Sequence, residues 1–403
     1  IHDALVEALR QPPREGMLGI VLFLTDGLPT VGQTAETTIR ELADRGNPHA
    51  RRVFTFGVGA DVNVPLLDRI AEASRATSTY AVPGEDVELK VAQVFRRLYG
   101  PVLADAKLVT VDGAGGITTR RVREPIPAVL PDLFEGDQFV LLGQYVGEEP
   151  LEFRLQGQYF GRPREFRFRF ELTGATTRNA FVPRLWASRR IGFLVDQIRQ
   201  AGAPLGDRPN LVGESVLNDP RIRELVDEVL RLSTEFGILS EYTSFLATEG
   251  TDLGDWERLN LICNGEIDSR AVKRRSGIDA VAQSRNLKQR KGQAQVDLRN
   301  GYLDEKLQRV EIDTVQQVNE TCLFKRGNQW IDGRIVAARG RQEGRGGSLA
   351  ADETIEFGSP AWNALLDELI RDHRQALLAR AGDILLQHRG RAILVRNRLD
   401  DTE

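Results

Sequence analysis

Asp26 is the residue whose type and setting most directly suggest chemistry. It follows the apolar run Gly19-Ile20-Val21-Leu22-Phe23-Leu24 and stands in the loop sequence Thr25-Asp26-Gly27-Leu28-Pro29-Thr30. A continuous apolar run of this length reads as a strand buried on both faces of a parallel sheet. That places Asp26 at the strand's carboxyl end, where open α/β sheets bind ligands. A carboxylate there, beside the Thr25 hydroxyl and the permissive backbone of Gly27, suits a hard divalent cation. Mg²⁺ fits best, because it keeps several waters and needs only one or two carboxylates. The same aspartate could instead cap the following loop, and the Thr-Asp-Gly triplet alone leaves both roles open.

Other candidates for chemistry carry less. Gly57-Val58-Gly59 follows a strand but lacks the third glycine of a dinucleotide fingerprint. Neither a Gly-x-Ser-x-Gly motif nor a phosphate loop occurs, so no catalytic residue presents itself. Two cysteines, Cys263 and Cys322, and four histidines exclude a disulfide scaffold or a Cys/His zinc cluster. An oxidised pair is left open. His2, His49, His373 and His388 are scattered, and the last two fall in charged helical sequence where they are expected to be solvated. Asn319-Glu320-Thr321 fits a glycosylation acceptor. Trp186 and Trp330 read as core anchors.

The elements that would position Asp26 alternate strand and helix. Ile1 to Arg10 has Ile1, Leu5 and Leu9 on one helical face, and a chain opening in mid-helix suggests that part of the protein lies upstream. Thr37 to Ala43, Pro65 to Ala73 and Val87 to Tyr99 read as helices. The last has Leu89, Val91, Val94, Phe95 and Leu98 largely inward. Arg52 to Gly59 and Ser78 to Val82 read as further strands. Such alternation predicts a parallel sheet covered by helices. Only three strands are visible where five or six are usual, so an open edge with exposed apolar surface beside Ile20–Leu24 is expected.

Beyond residue 101 the period changes to two. Phe166, Phe168 and Phe170 alternate with Glu165, Arg167 and Arg169, the pattern of a half-buried antiparallel strand. A second layer should bury Phe168, as in a sandwich. Phe181 to Ala201 and Ile222 to Phe236 read as helices, with Pro220 near the start and Gly237 after the end of the second. Residues 265–308 lose apolar periodicity, and Lys273-Arg274-Arg275 and Arg285 to Lys291 make them basic. This reads as a solvated linker, or as a patch for an anionic partner. In the last unit, Val315 to Lys325 and Trp330 to Ala338 read as strands. Arg339 to Ala350 reads as a Gly-rich loop, Pro360 to His388 as one long helix or two short ones, and Arg391 to Asn397 as a closing strand.

The chain has 403 residues, 41% hydrophobic and 28% charged, enough for several globular domains. No stretch approaches the roughly 20 apolar residues of a membrane span. With 54 Lys+Arg against 58 Asp+Glu, the formal charge is −4, which argues against a nucleic-acid partner.

The pattern Ile20 to Gly27, followed by Val53 to Gly59, resembles the second half of a von Willebrand factor A domain. The likeness continues through Asp61-Val62-Asn63, Leu66 to Glu72, Pro83 to Asp86 and Val102 to Asp105. In this extended form it resembles the inter-alpha-trypsin-inhibitor heavy-chain group and its bacterial relatives, which carry a VIT domain before the A domain. Leu133 to Tyr145, Leu185-Trp186-Ala187 and Leu232 to Phe245 are similar to later segments of that group. Phe324 to Asp332 resembles the tail unit of bacterial members.

The resemblance implies an α/β fold, the second half of a doubly wound A-type sheet, for residues 1–101. A β-sandwich-like segment at 102–174 would follow, then a helical segment at 175–254, the polar basic linker at 255–310 and a small α+β unit at 311–403. It further implies that Asp26 is the late aspartate of a metal-ion-dependent adhesion site. The family's Asp-x-Ser-x-Ser motif and threonine ligand would lie upstream, so this chain holds one ligand and should bind Mg²⁺ or another divalent cation poorly by itself. The implied function is non-enzymatic: the intact site presents its cation to an acidic side chain of a protein partner, outside the cell or at its envelope. The alternative is a docking or structural subunit of an envelope or enzyme assembly with an inactive metal site.

Overall fold

The computed structural model describes residues 1–98, 101–113, 115–173, 179, 181–203, 216–297, 299–339 and 349–397. They fall into two units: 1–177 with 199–216 and 272–285, and 178–198 with 217–271 and 286–403. The first unit begins with α1 (His2–Arg10), β1 (Ile20–Thr25), α2 (Glu36–Arg45), β2 (Arg52–Val58), α3 (Val64–Ala73), β3 (Ser78–Ala81) and α4 (Val87–Leu98). The strands form a parallel sheet in the order β1-β2-β3. Ile20 pairs with Arg52 and Thr25 with Gly57, while Thr55 pairs with Ser78. Successive side chains of β2 point to opposite faces, and both faces are covered. Val53 joins Leu5, Leu9, Ile39, Leu66 and Ile70 in one cluster, and Phe54 joins Ala71, Ala76 and Phe134 in another.

β1 differs from the strand buried on both faces that its sequence suggests. It is an edge strand with β2 as its neighbour, and Leu22 and Leu24 are 38% and 53% exposed. The open edge expected of a three-stranded sheet is therefore present. α4 is also less inward than its pattern suggests: Leu89 and Phe95 are exposed, and Leu98 packs on the Phe54 cluster.

The chain continues through β4 (Pro101–Val111), β5 (Val122–Ile126), β6 (Leu133–Phe134), β7 (Leu142–Tyr145), β8 (Leu151–Tyr159) and β9 (Arg162–Phe170). One antiparallel sheet runs β6-β4-β8-β9, and β5 pairs with β7. Leu103, Ala106 and Leu155 of the larger sheet are buried with Leu130, Phe139 and Leu141, which supply a second layer over part of it. The buried Arg52 guanidinium ties β2 to this segment, donating to Asp132 Oδ1 at 3.0 Å and to Asp105 at 2.9 Å.

The aromatic strand corrects a sequence expectation. Phe166, Phe168 and Phe170 are 37%, 47% and 50% exposed. They pair with Leu155, Phe153 and Leu151, so all six side chains share one face. The covering segment packs on Leu155 of β8 but stops short of the edge strand β9. The phenylalanines are partly sheltered by their own neighbours: Phe170 stacks edge-on against Phe153 at 5.9 Å, and the Arg164 guanidinium lies 5.2 Å from the Phe166 ring. Phe168→Ala should therefore cost less than about 1 kcal/mol, and Leu155→Ala about 2–5 kcal/mol. Urea denaturation of the two variants checks this, and equal losses would contradict it.

The helices that follow are α5 (Phe181–Ala201), α6 (Pro220–Phe236), α7 (Trp256–Ile267) and α8 (Ile278–Lys291). Asp219 and Pro220 start α6, and Gly237 ends it with a left-handed φ of 61°. Residues 255–310 are not the polar linker their sequence suggested. α7, a π-helical turn at Asp268–Val272 and α8 occupy most of them. In α8, Ala280, Val281, Ala282, Gln283, Ser284 and Asn286 are buried. A buried face made of small and polar residues leaves no hydrophobic period to read. The basic residues are mostly partnered, Arg275 by Glu36, Arg285 by Glu85 and Lys291 by Asp196, so they do not form the open patch that was the other reading.

The second unit closes with β10 (Asn300–Leu303), β11 (Arg309–Ile312), β12 (Val315–Val318), β13 (Thr321–Arg326), β14 (Gln329–Asp332), α9 (Gly333–Arg339), β15 (Glu353–Glu356), α10 (Pro360–Arg371), β16 (Asp383–His388) and β17 (Arg391–Arg396). β12-β13-β14-β16-β17-β15 make a mixed sheet. Trp330 is a core anchor as expected, and its indole N–H donates to the Ala381 carbonyl at 3.0 Å. Trp186 is half-buried. Two expectations change. The predicted strand over Trp330–Ala338 is β14 followed by a helix, and of the one or two helices predicted over Pro360–His388, α10 ends at Arg371, a short 3₁₀ helix covers Gln375–Ala379 and β16 takes the rest. His388 is accordingly buried rather than solvated, with Nε2 2.7 Å from Glu368. Most of the Gly-rich loop, at 340–348, lies outside the described residues.

Candidate functional site

Asp26 stands immediately after β1, at the carboxyl end of the parallel sheet, and is exposed. The local turn is closed by its neighbour: the Thr25 hydroxyl donates to the Gly27 carbonyl at 3.2 Å and accepts from the Gly27 N–H at 3.4 Å. Thr25 thus performs the capping that Asp26 was one candidate for. Among the described residues, the Asp26 carboxylate takes part in no hydrogen bond or ion pair. The loop returns toward α1, where a Cβ at Gly32 would meet Asp3 Oδ2 at 3.3 Å.

The other side of the crevice holds no phosphate cradle. Gly57 is required by packing, since a Cβ there would lie 2.8 Å from the Tyr80 ring. Cys263 and Cys322 are free and buried, and burial pushes both thiols well above their ordinary range. In the glycosylation pattern, the Asn319 amide donates to the His373 carbonyl at 2.9 Å and Thr321 is fully buried. Among the described residues, no group of three or more His, Cys, Asp or Glu comes together to hold a metal. Asp26 is a suitable oxygen donor for a hard cation, but one carboxylate cannot replace the hydration shell. These residues can contribute to a cation site and do not form one alone.

Comparison with known proteins bears on what the sheet belongs to. No family model matches the chain. It is 26% identical over 254 residues to inter-alpha-trypsin inhibitor heavy chain H6 of Homo sapiens, covering 59% of this chain and 17% of that protein. It is 25% identical over 256 residues to von Willebrand factor A domain-containing protein 5A of Homo sapiens, covering 61% and 28%. The chain is similar to proteins with von Willebrand factor A domains and to the inter-alpha-trypsin inhibitor heavy chains. The chain spans less than a third of the length of either relative. Two solved structures are similar. One is a von Willebrand factor type A protein from Catenulispora acidiphila, with 17% identity, TM-score 0.34, and 67% and 68% of the two chains covered. The other is the ArnB paralog VWA2 from Sulfolobus acidocaldarius, with 14% identity, TM-score 0.28, and 62% and 63% covered. The fold described above rests on its own strands and helices.

In the parallel-sheet segment the strongest polar constellation is structural, and it carries no mark in the sequence. Asp68 on α3 is buried, and its Oδ1 accepts from the Ser78 hydroxyl, from Tyr80 at 2.9 Å and from Ser284 at 2.9 Å. Its Oδ2 accepts from Arg199 Nη1 at 2.7 Å, and Arg199 is fully buried. Burial, and then the Asp68 carboxylate, hold the Tyr80 hydroxyl protonated well above its ordinary range. A second buried carboxylate, Glu36, accepts from Asn63 at 2.9 Å and pairs with Arg275. Asp68 occurs in a helix with charged neighbours at Arg69 and Glu72, and no local signal marks it as inward. Two of its four partners, Arg199 and Ser284, lie 131 and 216 residues away. Asp68→Ala should destabilise by about 3–5 kcal/mol, because it strands a buried guanidinium. The paired change Asp68→Leu with Arg199→Met should cost clearly less, and denaturation of both variants measures the difference.

Proposed function

We propose that this protein is a non-enzymatic binding protein, extracellular or envelope-associated. Its A-type sheet supplies Asp26 to a divalent-cation site, and an acidic side chain of a protein partner completes the coordination. The observation that carries this reading is the free, exposed carboxylate of Asp26 at the carboxyl end of β1, with Thr25 rather than Asp26 closing the turn. A carboxylate left without a local role at the ligand-binding end of an α/β sheet supports that reading. The relatives named for their von Willebrand factor A domains support a role in protein interaction. Among the described residues, no helix is long and apolar enough to cross a membrane.

Calorimetric titration of the full-length protein with Mg²⁺ or Mn²⁺ tests the proposal. Asp26→Ala should weaken cation binding about tenfold or more, equivalent to at least about 1.4 kcal/mol. Cation-dependent capture of an acidic partner should fall with it. In the 403-residue chain the substitution should change little, because the described residues do not complete a site. Equally tight cation binding by the wild type and by Asp26→Ala in the full-length protein would overturn the reading.

A further inference from the structure

We propose that the cavity between α5 and α8 in the second unit binds a small tetrahedral oxyanion, a phosphate or sulfate group, free or at the end of a larger molecule. Its walls include Arg184 and Ser188 of α5, Arg290 of α8, and Leu239, Gln293 and Asn300 from the connecting segments. About 40 Å³ is open inside, on a scale where one water needs about 10–15 Å³. That is room for an anion of a few heavy atoms and too little for a nucleotide.

Two arginines and one carboxylate residue, Asp297, line the site. Arg184 is 6% exposed. Its Nη1 donates to the Phe236 carbonyl at the end of α6 and to Gln317 Oε1 at 3.1 Å, and its Nη2 reaches the Asp297 carbonyl at 3.4 Å. Its Nε is buried with no partner. Arg290 Nη2 donates to the Leu239 carbonyl at 2.9 Å. Among the described residues, no carboxylate pairs with either guanidinium.

The two nearby acids, Asp297 and Glu241, act on the Arg290 charge but do not pair with it, and each has a partner of its own. Asp297 accepts from the Arg299 N–H at 3.0 Å and lies 3.8 Å from Arg309. Glu241 is buried, which pushes its carboxyl up, and it accepts from Asn286 at 3.1 Å. Lys291, next along α8, is matched by Asp196 at 3.0 Å. Burial lowers the pKa of both Arg184 and Arg290, and for Arg184 the charge of Arg290 adds to the effect.

A buried guanidinium such as that of Arg184, with no carboxylate paired to it and a second arginine charge acting on it, is costly until an anion joins it. The arginine fork matches the oxygens of phosphate and sulfate better than a point charge would. Ser188 donates to Gln293 Oε1 at 2.7 Å, which fixes that amide with its NH₂ as a further donor at the wall.

Thermal denaturation and calorimetry of the 403-residue chain test the proposal with inorganic phosphate, inorganic sulfate and phenyl phosphate, each against chloride at equal ionic strength. Phosphate or sulfate at about a hundred times its Kd should raise Tm by on the order of 5 °C. Binding of phenyl phosphate as well as phosphate would show that the group can be carried on a larger molecule, and binding of the free ions alone would restrict the site to those. Arg290→Gln should abolish the response, with some loss of Tm in chloride because the hydrogen bond to the Leu239 carbonyl goes with the guanidinium. The proposal fails if wild-type protein shows no calorimetric binding of either ion below about 10 mM, a strength of roughly 3 kcal/mol. An equal response in chloride or in Arg290→Gln would also overturn it, leaving the arginines as caps on backbone carbonyls. Should Arg290→Gln fail to fold, the wild-type titration decides by itself.

Discussion

The buried carboxylate of Asp68 is the constraint on which the first unit depends. A charge at that depth is tolerable only when every lone pair is met, and here Ser78, Tyr80, Ser284 and Arg199 meet them. Two of the four donors come from far along the chain, which is why residues 199–216 and 272–285 belong to the same unit as the parallel sheet. Buried ion pairs add little net stability, but losing one partner is expensive. Asp68 therefore acts more as a specification of geometry than as glue. Glu36 repeats the device nearby, taking Arg275 and Asn63 as its partners.

That framework bears on function through position. β2 is held on both faces by the two apolar clusters around Val53 and Phe54, and β1 is set against it in parallel register from Ile20 to Thr25. The register leaves Asp26 just past the sheet edge, and the Thr25 hydroxyl closes the turn around Gly27 without using the carboxylate. A fixed backbone with an uncommitted charge is a ready donor for an ion or a partner. The same chain leaves Phe166, Phe168 and Phe170 half-exposed, because the segment from Leu130 to Leu141 covers β8 and not the edge strand beyond it.

What could be read from the sequence follows from which interactions are local. β2, α3 and the carboxyl-end setting of Asp26 are legible because apolar runs, Asn63 and Pro65 at a helix start, and Gly-rich loops act within a few residues. α6 is legible for the same reason, bounded by Pro220 and Gly237. α8 was missed because Ala280, Ala282, Ser284 and Asn286 are buried by fitting closely and by hydrogen bonding, which leaves no hydrophobic stripe. β16 reads as helix in the sequence because Ile384, Leu385 and Leu386 are buried in succession inside a charged stretch, where strand and helix look alike. The burial of Phe168 was overestimated because alternation reports that a face is apolar and says nothing of what covers it. Asp68 and Glu36 carry no local mark, since their partners are set by the tertiary fold.

Amide hydrogen exchange across residues 278–285 tests this account most directly. If α8 is joined to the sheet through Ser284 and Asp68, its amides there should be protected to nearly the same degree as those of β2. They should lose that protection together with β2 when Arg199 is replaced by Met. Exchange of 278–285 at the rate of an unstructured chain, with β2 still protected, would show that these residues are a linker and would contradict the account.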